Sequence, residues 1–110
     1  MKAKFKITQL AAKPIKVELV HPTQGETGIF VDLVGPHSKQ FHTAFEAFEA
    51  SEQKQEDNLK LFASCFIGWD DEAFEMPFSA ENALAFFSNS DNAWAANFIA
   101  PILKDANRFF

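Results

Sequence analysis

Apolar and polar residues alternate with a period of two in three places near the start of the chain. Ala3, Phe5 and Ile7 alternate with Lys4, Lys6 and Thr8. Ile15, Val17 and Leu19 alternate with Lys16 and Glu18, and Ile29, Val31 and Leu33 with Phe30, Asp32 and Val34. Successive side chains of a strand point to opposite faces, so each run predicts a strand. The lysines of the first suit a sheet edge. His21 to Gly28 holds one proline and two glycines among polar residues. That stretch predicts a loop, and the second and third strands are expected to pair as a hairpin across it.

From Ser38 onward the period lengthens. Ser38 can cap a helix whose apolar face is Phe41, Ala44, Phe45 and Phe48. The stripe lapses around Ser51–Asp57 and resumes in phase with Leu59, Phe62, Ala63 and Phe66. Two helices joined by a mobile polar break are expected, because an unbroken helix of that length is unusual in a small domain. The second is expected to end in Phe66-Ile67-Gly68-Trp69 and to open an acidic turn at Asp70-Asp71-Glu72. Ser79 can cap a short helix, with Phe78 as its staple and Ala80, Ala83, Leu84 and Phe87 on one face. Asp91 can cap the last helix, which runs to about Arg108 with Pro101 kinking or restarting it. The expected fold is α+β in one domain, residues 1–110: a small N-terminal antiparallel sheet of two or three strands, then three to four helices.

Composition narrows the function classes. The chain has 110 residues, 47% apolar and 23% charged, which suits one globular core and excludes wholesale disorder. No apolar run is long enough to span a bilayer, and Met1–Lys6 has no apolar core behind it, so neither a membrane partner nor a secretory signal is expected. The net charge is −5 and uneven. Residues 1–20 carry five lysines against Glu18, whereas residues 44–91 carry eleven acids against Lys54 and Lys60. So acidic a body offers no extended basic footprint for nucleic acid. The acids read as a solvated helix surface, or as a patch that steers a basic partner.

Little in the sequence points to catalysis. His37 and His42 are five residues apart, poor for sharing a helix face, and His21 lies elsewhere. The single cysteine, Cys65, sits beside the apolar face between Phe62 and Phe66 and reads as a buried, inert thiol. The acids at 70–75 lack the alternating spacing of a calcium loop. There is no glycine-rich phosphate loop and no G-x-S-x-G. No enzyme, metal or cofactor is expected.

The aromatics say more. Fourteen phenylalanines and no tyrosine mean rings without a polar handle, which belong in a core or in an apolar contact. At 100° per residue, Trp94, Phe98, Ile102 and Phe109 lie on one side of the last helix and Ala95, Ile99, Leu103, Ala106 and Phe110 on the adjacent side. That apolar arc is wider than one-sided docking needs. Such a helix is either sunk between elements of its own domain or packs inward on one side and meets another chain on the other. On the second reading Trp94, Phe98, Phe109 and Phe110 are the protein-binding anchors, with Trp69 beside the acidic turn as the next candidate, and self-association is compatible with the same face.

Taken in order, several segments carry a family likeness over about residues 14–110. They are His21-Pro22-Thr23-Gln24-Gly25-Glu26-Thr27-Gly28-Ile29, then Val34-Gly35-Pro36-His37-Ser38, then a charged helix ending in Phe66-Ile67-Gly68-Trp69. Pro77-Phe78-Ser79-Ala80-Glu81-Asn82-Ala83-Leu84 and the closing Asp105-Ala106-Asn107-Arg108-Phe109-Phe110 complete the set. The chain resembles the tail assembly chaperones of long-tailed bacteriophages and prophages, with Pro101 departing from the unbroken terminal helix that the pattern leads one to expect. The resemblance implies a non-enzymatic partner of phage tail proteins, the tape measure protein first among them, acting in the host bacterial cytoplasm and absent from the finished virion. The alternative roles are a structural tail or head–tail joining protein retained in the virion, and a small acidic inhibitor of a host enzyme.

Overall fold

The computed structural model describes residues 2–110. Strands β1 (Ile15–His21) and β2 (Gly25–Leu33) pair antiparallel, as the alternation predicts. Both extend further into the 21–28 segment than expected, because Thr27 and Gly28 form a bulge rather than loop. Gly28 takes a φ of +72°, and its N–H donates to Glu18 Oε2 at 2.9 Å. Thr27 Oγ1 donates to Leu19 O at 2.7 Å. A left-handed residue at a bulge is the place where glycine is favoured.

The third strand is not the one expected. Residues 3–8 form no strand; a 3-10 turn at Ile7–Leu10 stands there, and residues 2–11 are all exposed. The third strand is instead β3, Phe66–Trp69, read above as a helix end. It pairs antiparallel with β2, giving the order β1-β2-β3. Helical spacing and a four-residue strand are indistinguishable in so short an apolar run. Register decides it here: Leu33 pairs with Phe66 and Val31 with Trp69, which sets Phe66 among buried Val31 and Leu33.

Helices α1 (Lys39–Ala50) and α2 (Gln55–Ala63) lie between β2 and β3. Ser38 caps α1 by accepting from Phe41 N at 3.0 Å. The expected break falls at residues 51–54, where Gln53 adopts a left-handed φ of +55°. Asp70 caps the short α3 (Asp71–Phe74), accepting from the N–H groups of Glu72 and Ala73. Ser79 caps α4 (Ala80–Ser88) through Asn82 N at 3.0 Å, as predicted. Helix α5 (Ala93–Lys104) has no side-chain cap. Asp91 does not supply one; its own N–H donates to Asn89 Oδ1 at 3.0 Å, in a 3-10 turn before the helix. Helix α5 passes through Pro101 without ending, with the proline on its exposed face, and stops at Lys104 rather than Arg108. A 3-10 turn, Ala106–Phe109, follows.

The architecture is α+β. One sheet face is covered by helices and gives the core: Val17, Leu19, Val31, Leu33 and Phe66 from the strands, Phe87 from α4, and Ala95, Ile99 and Ile102 from α5. The opposite face stays open, with Val20, Phe30 and Ile67 all partly in solvent. No helix among the described residues is long and apolar enough to cross a membrane.

Candidate interaction surface

Helix α5 divides its wide apolar arc. Ala95, Ile99 and Ile102 go into the core. Trp94 and Phe98, four residues apart and so on one side of the helix, are left half-buried at its shoulder. With Val20 and Pro22 of the hairpin and Asn97 they line a shallow hollow of about 540 Å³. The hairpin wall is held by His21, whose Nδ1 accepts from the N–H groups of Thr23 and Gln24, each at 3.2 Å. The same imidazole meets the Trp94 ring edge-on, centroids 4.8 Å apart. The hollow therefore has one side fixed by a packed helix and the other by a pinned turn.

The two terminal phenylalanines part company. Phe109 is 1% exposed and belongs to the core, which corrects the expectation that it stands uncovered as an anchor. Its ring lies over Gly35, where an added methyl would sit 2.6 Å from Cδ2, and its carbonyl accepts from Lys13 N at 2.7 Å. The 3-10 turn rolls consecutive side chains to different sides, so Phe110 remains 68% exposed against His37, ring centroids 5.4 Å apart.

Trp69 is committed to the inside. It stacks on Phe74 with centroids 4.1 Å apart and an interplanar angle of 5°. Phe78 meets it edge-on at 5.2 Å, and its Nε1 donates to Met76 O at 3.1 Å. Both its apolar body and its one polar atom tie the segment after β3 back to the sheet. Of the five anchors expected from sequence, Trp94 and Phe98 come together, Trp69 and Phe110 stand apart from them, and Phe109 is interior.

Sequence reasoning missed the emptiest surface. Phe41, Phe45 and Phe48 stack in a ladder along α1, centroids 5.9 and 6.2 Å apart. Yet no residue of α1 is buried, and Phe45 is 39% exposed. Between α1, α2 and the end of α5 runs a mostly apolar groove of about 530 Å³, with Phe41, Leu61, Phe62 and Leu103 among its walls. The stripe was legible as helical spacing, but spacing does not say whether a partner element exists.

The polar groups suit solubility more than chemistry. Glu52–Lys54 at 2.6 Å, Lys16–Asp32 at 3.3 Å and Glu56–Lys60 at 4.0 Å are exposed pairs, and such pairs add little to stability. Among the described residues no three His, Cys, Asp or Glu side chains come close enough to hold a metal ion. Burial pushes the Cys65 thiol up to about 11, so it is almost wholly protonated at neutral pH and a poor nucleophile.

Comparison of the chain with protein-family models, with curated proteins and with solved structures finds no match.

Proposed function

We propose that this chain is a tail assembly chaperone of a long-tailed bacteriophage. It holds the tape measure protein in the host bacterial cytoplasm during tail morphogenesis and performs no catalysis. The observation that carries the reading on the structural side is the hollow at Trp94 and Phe98, an apolar recess with two fixed aromatic walls on an otherwise acidic body. The family likeness of the sequence supplies the client.

A long helical client presents apolar side chains at intervals of three and four residues, and the hollow is of a size to take one or two of them. Trp94 and Phe98 are half-immobilised before binding, so little side-chain freedom is lost when a client desolvates them. Such aromatic anchors typically carry most of the energy of an interface. The contact is small and shallow, which favours fast release, as a chaperone displaced by a growing tube requires. The surrounding carboxylates keep chaperone and client in solution.

Co-expression with the tape measure protein of the same tail gene cluster tests this. Wild-type chain should capture it, and Trp94→Ala with Phe98→Ala should lower capture about tenfold or more while the melting transition stays cooperative. Equal capture by the double variant removes the hollow from the reading. Purified virions separate the roles further: a chaperone is missing from them, and a structural tail or head–tail joining protein is present.

A further inference from the structure

Two apolar surfaces of this chain have no partner within it, and their charges are opposite. The first is the segment 2–11. Phe5, Ile7 and Leu10 are 53%, 82% and 51% exposed, and Lys2, Lys4 and Lys6 are its only charges. Its order is local: Gln9 Oε1 accepts from Lys6 N at 2.8 Å. The body takes hold only at Ala12, which packs on the core, and at Lys13, whose N–H donates to Phe109 O. The period of two noted above marks a segment with one apolar side and one basic side, yet neither side is covered.

The second surface is the α1 ladder and the groove beside it. Its charges are carboxylates. Glu49 lies one turn beyond Phe45 on the same side of α1, and neither Glu46 nor Glu49 has a cation within ion-pair distance among the described residues. Lys104 is the one basic group lining the groove.

We infer that residues 2–11 of one copy dock along the α1 groove of a second copy, apolar side inward, and that reciprocal exchange closes a two-fold dimer. Charge complementarity selects this occupant: a basic, apolar segment meets an acidic, apolar helix face. The chain does not satisfy the groove by folding back. Its segment stands clear of its own body, and the radius of gyration, 15.5 Å, exceeds the about 13 Å of a compact chain of this length. Ten extended residues reach about 33 Å, enough to follow α1, which is about 18 Å long. A single segment in a single groove makes a small contact. Two related by a two-fold axis double it toward the about 1,200 Å² that a stable interface needs. The inference is independent of the tape measure reading, which uses the hollow at Trp94 and Phe98.

Sedimentation of the full chain tests it. A dimer with a dissociation constant of about 1–10 μM is expected. Phe5→Ser, Ile7→Ser and Leu10→Ser together alter only exposed positions, leave the melting temperature in place, and should weaken the dimer at least about tenfold. Lys2→Glu, Lys4→Glu and Lys6→Glu together should dissociate it, as should Glu46→Lys with Glu49→Lys. An equimolar mixture of these two variants should associate again, because opposite charges then face each other. A wild-type chain still monomeric at about 100 μM, a dimer indifferent to the serine variant, or a mixture that fails to recover overturns the proposal.

Discussion

Helices α1 and α5 are each twelve residues long and each carries an apolar stripe, but they end in opposite states. Helix α5 lies on the sheet and buries Ala95, Ile99 and Ile102. Helix α1 leans on α2 alone and buries nothing. The residues differ less than the neighbours do. Helix α5 meets β1, whose Val17 and Leu19 face it across a closed core. Helix α1 meets a helix with charged residues at 56, 57 and 60. An amphipathic stripe states that a helix requires a partner. It does not state that the partner belongs to the same element layer, or to the same chain.

The comparison can be broken most forcefully at Phe109. Truncation to alanine removes a fully buried ring over Gly35 and should cost about 3–5 kcal/mol, read as a lower denaturation midpoint with unchanged slope. A loss near zero would move Phe109 back to the surface and erase the contrast between the two ends of the molecule. Next in size are the two serine caps. Ser79→Ala removes the cap of α4, which the core depends on through Ala83 and Phe87, and should cost about 1 kcal/mol of global stability. Ser38→Ala removes an equivalent cap, yet its loss should register chiefly as faster amide exchange within residues 39–50, with less than half the global effect. Equal global losses would show α1 to be as integral as α4. Smallest is Phe45→Ala, which should change stability by no more than about 0.5 kcal/mol. The wild-type amides of α1 and of the 51–54 break should exchange faster than those of α5, where protection reflects burial.

The hairpin, the two serine caps and the polar break were all legible, because each rests on local chemistry: alternation, a hydroxyl before a helix, a lapse in a stripe. Three features were not. The segment 3–8 has the alternation of a strand, but a strand also needs an adjacent edge, and nothing in its own residues says whether one is free. Phe66–Trp69 continues a helical phase by chance, and only the register of Leu33 against Phe66 converts it to a strand. Phe109 and Phe110 are chemically identical neighbours, and the close approach of Gly35, remote in sequence, decides which is interior. For the candidate site, helical spacing correctly put Trp94 and Phe98 on one side. The hairpin wall that makes a hollow of them was out of reach, because it depends on how α5 crosses β1.

The placement of α1 and α2 between two adjacent strands has a consequence for the order in which the chain folds. Strands β1 and β2 are joined by the short turn after His21, and such hairpins close in about 1–10 μs. Strand β3 can add to β2 only after the chain from Leu33 to Phe66 has looped back, so that pairing carries most of the closure entropy and comes late. The excursion itself is a passenger in that step. Since closure entropy grows only logarithmically with loop length, residues could be added to or removed from the 51–54 break at little cost to the rate or to the final sheet. The helix pair is thus the part of this fold most free to change its surface while the rest keeps its shape.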